Sequence, residues 1–432
     1  MSTPQTGLIR GIRKWDLVAL LINSIVGAGI FGLPSKVYAL TQTYSLFAFL
    51  VCAVVVTMII LCFAEVSSRF SRTGGPYLYA HESFGPAVGF VVGWLTWITR
   101  MTAFATICNL LVTYSGHFWP AATSVPWRPM IITGVIAGLA TLNHTGIRQT
   151  AIFSNIFTIG KLIPILIFIV IGLFFIDFKN YSLETKPRMD DFAVSVLLLF
   201  YAFSGFESST IAAGEVQEPQ RTFPFALGVG IGIVVTLYLL IQVVCIGTLP
   251  DLANSERPLA DASKRFLGEA GASLITVGAL ISMIGTLNSS FLGGTRMLFA
   301  ISERGQLPQI LSATHRRFHT PSVSILITAA VILVVTLSNT FMSALAIATT
   351  TRLIAYGITC AGLPVLRRKE KDLPATFTVP AGIVVPIFAA LFCLVLISAS
   401  SRNEVRDVAV VTAFGGLLCI VYTIWKRFNR PI

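Results

Sequence analysis

Asn23-Ser24-Ile25-Val26-Gly27-Ala28-Gly29-Ile30-Phe31-Gly32-Leu33-Pro34 sets three glycines within six residues, inside a long apolar run over residues 15–40. Each glycine costs a helix interior about 1 kcal/mol relative to alanine, so the helix expected from this run should break here. At membrane depth, unwound backbone persists only where protein or a water-filled cavity satisfies its amides and carbonyls. If the run lies in a bilayer, the break predicts a ligand cavity.

Composition puts it there. The 432 residues are 55% hydrophobic and only 12% charged, and the mean hydropathy is +0.80, too apolar for one aqueous core. Crossing a hydrocarbon layer takes about 20 helical residues. Runs of this kind fall at 15–40, 44–69, 88–116, 128–146, 150–176, 192–214, 223–249, 271–301, 322–338, 341–366, 378–399 and 407–427. The expectation is an all-α integral membrane protein with 12 transmembrane helices. No connection is long enough for a second domain, so residues 1–432 read as a single transmembrane domain. The first run follows Arg10, Arg13 and Lys14 without a small-residue cleavage site and reads as a retained helix. All seven cysteines lie in apolar runs, which argues against disulfides and a metal cluster.

A net charge of +12 would suit nucleic acid or an anionic membrane, and placement decides. With the N-terminus inside, the cytoplasmic segments hold 17 Lys and Arg and the opposite loops 9, the latter accompanied by ten acids. The positive-inside rule then puts both termini in the cytoplasm of a cell with this protein in its plasma or inner membrane. No nucleic-acid partner is needed to explain the charge.

The segment Glu65 to Tyr79 carries a Gly-Gly-Pro turn signal, and Glu65 is expected to pair with a nearby arginine. The sixth run repeats the theme of the first: Phe200-Tyr201-Ala202-Phe203-Ser204-Gly205-Phe206-Glu207-Ser208-Ser209-Thr210 sets a glycine, hydroxyls and a carboxylate at membrane depth. Interruptions in the first and sixth runs are what a five-plus-five inverted repeat predicts, with substrate held between the broken helices. Helices one to five would cover about 15–176, their inverted partners about 192–366, and two extra helices about 378–427.

These residues resemble the amino acid–polyamine–organocation (APC) permeases. The resemblance rests on Gly27-Ala28-Gly29 with its Ile-Phe-Gly-Leu-Pro exit, Thr73-Gly74-Gly75-Pro76-Tyr77, and Phe203 to Glu207 followed by Ala213-Gly214-Glu215-Val216-Gln217-Glu218-Pro219. It continues in Gly285-Thr286-Leu287-Asn288 leading to Arg304-Gly305-Gln306-Leu307-Pro308, and runs from about residue 10 to 370. It implies a LeuT-like fold and a secondary active amino acid transporter working by alternating access.

By that resemblance, backbone groups of Gly27, Ala28 and Gly29 take a substrate carboxylate, and Ile30 and Gly205 join the substrate site. Carbonyls near Ile25 and of Tyr201, Ala202, Phe203 and Ser204 take its ammonium. The alternative is that the glycines only permit close helix packing. Lys161, before Leu162-Ile163-Pro164, matches a fifth-helix lysine that stands in the place of a sodium ion and bridges toward the first and eighth helices. An ammonium is costly at that depth. Lys161 is therefore read as the ion-coupling residue, exchanging protons, or else as a permanently charged structural cation. Glu207 is a proton-sensitive gate, a counter-ion for a cationic substrate, or a structural partner of Arg100 or Arg352. Tyr201 is an outer lid or a packing aromatic. Ser290, with Ser289 and Thr286, could floor the site. Arg100 and Arg352 must face a cavity, carbonyls or an acid.

The reading is proton-coupled symport of amino acids, with an amino acid, amine or polyamine exchanger as the alternative in which Lys161 is only structural. Deep cations outnumber Glu207, which favours neutral over cationic cargo unless Glu207 points unpaired into the pocket. No Walker motif, His-Glu-x-x-His helix or Gly-x-Ser-x-Gly elbow is present, so neither ATP-driven transport, an enzyme nor a cofactor or metal is expected. A channel would need a continuous polar pore rather than two breaks.

Overall fold

The computed structural model describes residues 12–70, 75–145, 147–184, 186–207, 216–318, 320–369 and 374–428. Arg10, Thr73-Gly74, Ser208 to Thr210, Ala213 to Glu215, Lys371 and Arg430, which entered the sequence reading, lie outside the described residues. Within them the chain is helical and contains no β-strand.

Among the described residues each apolar run contains helix, as expected where no water is available to backbone amides. The first run yields α1 (Lys14–Ile25) and α2 (Ala28–Thr41) on either side of a break, and α3 (Ser45–Ser68) follows. Next come α4 (Gly75–Phe84), α5 (Pro86–Ser115), α6 (Trp127–Thr145), α7 (Ile147–Gly172) and α8 (Met189–Phe203). The second half contains α9 (Pro219–Thr248), α10 (Pro258–Glu303), α11 (Ser322–Ser338), α12 (Phe341–Arg368), α13 (Val384–Ser398) and α14 (Arg402–Phe428). Among the described residues, six helical stretches are long and apolar enough to cross a membrane.

Two elements differ from the simplest reading. The Gly-Gly-Pro segment turns directly into α4, since Pro76 sits in a first turn where a missing amide costs no hydrogen bond. The eighth run is the end of a 46-residue helix that bends at Gly268, whose φ of 65° favours glycine.

Burial separates a centre from a rim. The most apolar stretch of α5 is 94% buried, whereas that of α14 is 11% buried and presents Leu417, Val421 and Trp425 outward. Polar groups in the interior pair across helices: Thr99 with Thr351 at 2.8 Å, Asn143 with Asn288 at 3.1 Å, and Gln242 with Ser45 at 2.9 Å. Such pairs hold helices where apolar contact alone gives little specificity. Glu65, expected to find an arginine, finds two. It accepts from Arg69 at 2.7 Å and Arg367 at 2.6 and 2.8 Å, and from the Val379 amide at 2.8 Å.

Candidate functional site

The first break is two residues long. Val26 and Gly27 are extended, and Gly27 caps α2 with no side-chain hydrogen bond. The first amides of α2, on Ala28, Gly29 and Ile30, thus leave the helix without a side-chain partner, at the end where the helix dipole is positive. Such an end receives a carboxylate.

The second break follows α8. Ser204 is extended and Gly205 has φ of +117°, a conformation that a Cβ would strain. A Cβ on Gly205 would also run into the Ser24 carbonyl, and one on Gly29 would lie 2.8 Å from the Ala202 Cα. The two breaks therefore touch, backbone against backbone. Tyr238 of α9 lies beneath both, its hydroxyl 3.1 Å from the Ile25 carbonyl and 3.0 Å from the Ala202 carbonyl. That single proton serves the C-terminal ends of both broken helices.

Lys161 reaches from α7 to the end of α1. Its ammonium donates to the carbonyls of Asn23 at 2.5 Å and Val26 at 2.7 Å, and the residue is 1% exposed. Carbonyls at a helix C-terminus carry partial negative charge, so this end suits a cation. Among the described residues no carboxylate forms an ion pair with it.

Glu207 closes the other break. Its carboxylate accepts from the Gly205 amide at 2.9 Å and from the Tyr356 hydroxyl, and lies 3.3 Å from the Arg352 guanidinium. Arg352 in turn donates to the Ser204 hydroxyl and stands over the Tyr201 ring. The break is pinned to α12 by charge as well as by packing.

Around the breaks lies a cavity of about 570 Å³ that continues along α10 to Tyr77, Glu303 and Arg304. That size is ordinary for a small-molecule site. Of the expected substrate residues, Ile25, Gly27, Ala28, Gly29, Tyr201, Ala202, Ser204, Gly205 and Ser290 line it, as do Ser289 and Thr286. Ile30, Phe203 and Glu207 stand behind the wall, and so does Lys161. Beyond the breaks, on the side away from Arg304, the Tyr114 hydroxyl donates to the Phe31 carbonyl at 2.7 Å in fully buried surroundings.

The amino acid permease family model matches residues 12–424. The chain belongs to this family. It is 29% identical over 401 residues to the serine/threonine exchanger SteT of Bacillus subtilis, with 90% of each chain covered. To the methylthioribose transporter of the same organism it is 26% identical over 405 residues, covering 90% of this chain and 87% of that protein. To the human cystine/glutamate transporter it is 27% identical over 429 residues, covering 96% and 85%. It is a multi-pass protein of the cell membrane and of the APC superfamily, and its work is transport.

Three residues of the permease's site escaped the sequence reading. Tyr238 gave no signal, being one tyrosine in an apolar run. Asn23, at the end of α1, whose carbonyl holds Lys161, stood in the same stretch as the glycines but was assigned no role. Arg296, exposed to the cavity, sits inside the eighth apolar run, and its charge at that depth was the signal available.

Proposed function

We propose that the permease carries an amino acid across the membrane by alternating access, driven by protons that load Lys161. The observation that carries this reading is the ammonium of Lys161 on the Asn23 and Val26 carbonyls. It ties α7 to the first break, so losing the proton would loosen one wall of the cavity. The paired breaks in the first and sixth apolar runs support twelve membrane crossings in a LeuT-like five-plus-five inverted repeat, with α13 and α14 outside it. Substrate would lie with its carboxylate on the amides of Ala28, Gly29 and Ile30 and its ammonium near the carbonyls of Ile25 and of Tyr201 to Gly205. Ser290 would contact it from α10 and Tyr201 would close over it. Glu207 would act as the latch of the second break. With both termini cytoplasmic, the cavity mouth at Arg304 faces the cytoplasm.

Exchange without proton coupling is the second reading. It is favoured by the fixed pair of carbonyls around Lys161, which would suit a permanent charge, and by the resemblance to a serine/threonine exchanger. Uptake of labelled amino acids into proteoliposomes, with and without an inward proton gradient, separates the two. Symport predicts gradient-driven uptake that Lys161→Ala abolishes. Uptake that ignores the gradient and requires internal substrate would establish exchange and leave Lys161 structural.

A further inference from the structure

The cavity around the breaks opens at one end of the molecule, and a second cavity of about 400 Å³ lies at the other. Two helices fix the direction. α10 ends at Glu303, beside the mouth, and Gln306 just beyond it donates to the carbonyl of Pro86, the first residue of α5, at 3.1 Å. The second cavity is walled by the opposite ends of the same helices, Thr113 on the last turn of α5 and Asp261 on the first turn of α10. At 1.5 Å per residue, α5 alone separates the two places by about 40 Å. Tyr114, the residue after Thr113, is fully buried and reaches α2, with its hydroxyl on the Phe31 carbonyl at 2.7 Å and its ring edge-on to the Phe31 ring. The 3-10 turn Leu252–Asn254, whose Asn254 lines the second cavity, also packs against α2. This cavity therefore stands over α2, and the Tyr114–Phe31 contact lies between it and the first break.

Its lining carries charges of both signs. The Arg257 Nη2 lies 3.8 Å from the Asp261 Oδ1, beyond hydrogen-bond length, so the guanidinium stands near the carboxylate without being spent on it. The Ser255 hydroxyl donates to the other Asp261 oxygen at 2.6 Å and accepts from the Arg257 amide at 3.2 Å, which fixes the two charged groups relative to each other. Glu256 adds an exposed carboxylate, and Asn254 and Thr123 add an amide and a hydroxyl. A guanidinium grips a carboxylate through two parallel hydrogen bonds, and an ammonium has three donors to give to acids and hydroxyls. A zwitterion meets both needs at once. Among the described residues no large apolar side chain lines this cavity, so it offers little grip on whatever lies beyond the α-carbon.

We infer that the second cavity is an outer capture site for the zwitterionic head of an amino acid, with Arg257 holding the α-carboxylate and Asp261 and Glu256 the α-ammonium. This rests on the proposed reading of the permease as an amino acid carrier with its mouth at Arg304 facing the cytoplasm. Cargo arriving from outside is held there until the Tyr114–Phe31 contact parts and opens the way to the amides of α2. The site reads the head group common to all amino acids and leaves the choice of side chain to the inner cavity.

Entry from the two faces tests this, with labelled L-serine, L-leucine and L-glutamate taken up by whole cells and by inverted membrane vesicles. Arg257→Gln is expected to raise KM for entry from the outer face by about tenfold, the scale of a hydrogen bond between charged groups. The factor should be the same for every probe that is carried, and KM for entry from the cytoplasmic face should not change. Arg257→Lys is expected to recover most of the outer affinity. An outer KM that stays at the wild-type value, or a rise that is equal from both faces, would overturn the inference while leaving amino acid transport intact. So would a fall in maximal rate alone, the mark of a structural role. Absence of any amino acid uptake by folded wild type would instead overturn the transport reading, and this site with it. Should Arg257→Gln not accumulate, Glu256→Gln, a change at an exposed side chain, decides by the same comparison.

Discussion

Gly29 shows how much rests on one missing methyl group. Its nearest neighbours are the Cα and Cβ of Ala202, which an added Cβ would approach to 2.8 and 3.0 Å. Both belong to the core of the second broken helix, so neither can swing aside. Gly27 is roomier, since a Cβ there would lie 3.6 Å from the Thr286 side chain. Close helix packing and cavity lining, which began as competing explanations for these glycines, coexist at Gly29. Gly29→Val is expected to insert in the membrane yet abolish uptake, because separating α2 from α8 pulls the two breaks apart. Gly134, on the outside of α6 with nothing within 4 Å, is the control: Gly134→Val should insert and transport like wild type. Normal uptake by Gly29→Val would rule out the proposed site.

At the scale of elements, the broken helices are held by groups on unbroken ones. α7 supplies Lys161 to the first break, α12 supplies Arg352 and Tyr356 to the second, and α9 supplies Tyr238 to both. Each satisfies polar backbone or charge that interrupting a helix at membrane depth exposes. Removing the Tyr238 hydroxyl leaves two buried carbonyls short of a donor, a loss of about 1–3 kcal/mol. Tyr238→Phe is therefore expected to lower the thermal unfolding midpoint of the purified protein and to slow uptake. An unchanged midpoint would mean that the carbonyls find another donor and that α9 is only a wall.

Across the whole molecule, charge governs orientation and apolar surface governs the environment. The rim presents large apolar side chains such as Phe47, Val54, Leu326, Leu394 and Phe414 outward, as a bilayer requires. The proposed orientation puts Lys179 outside and Arg316 inside, and both are exposed. A membrane-impermeant maleimide is expected to label Lys179→Cys on intact cells, and Arg316→Cys only after permeabilisation. Native thiols interfere little, since six of the seven cysteines are buried. The reverse labelling pattern would invert the topology and turn the cavity mouth to the exterior.

Helix positions, the two interruptions and the burial of Lys161 were legible in the sequence, because they follow from local propensity and from the cost of exposing backbone or charge to hydrocarbon. The Glu65 pairing was legible for the same reason, as a deep acid near arginines. What lies against what was not. Tyr356 meets Glu207 from 149 positions away, and Tyr238 meets Ile25 across 213. Only the packing of distant helices brings these groups together. That packing placed Glu207 behind the cavity wall rather than in it, gathered four arginines on one surface, and gave the second break its charged anchor.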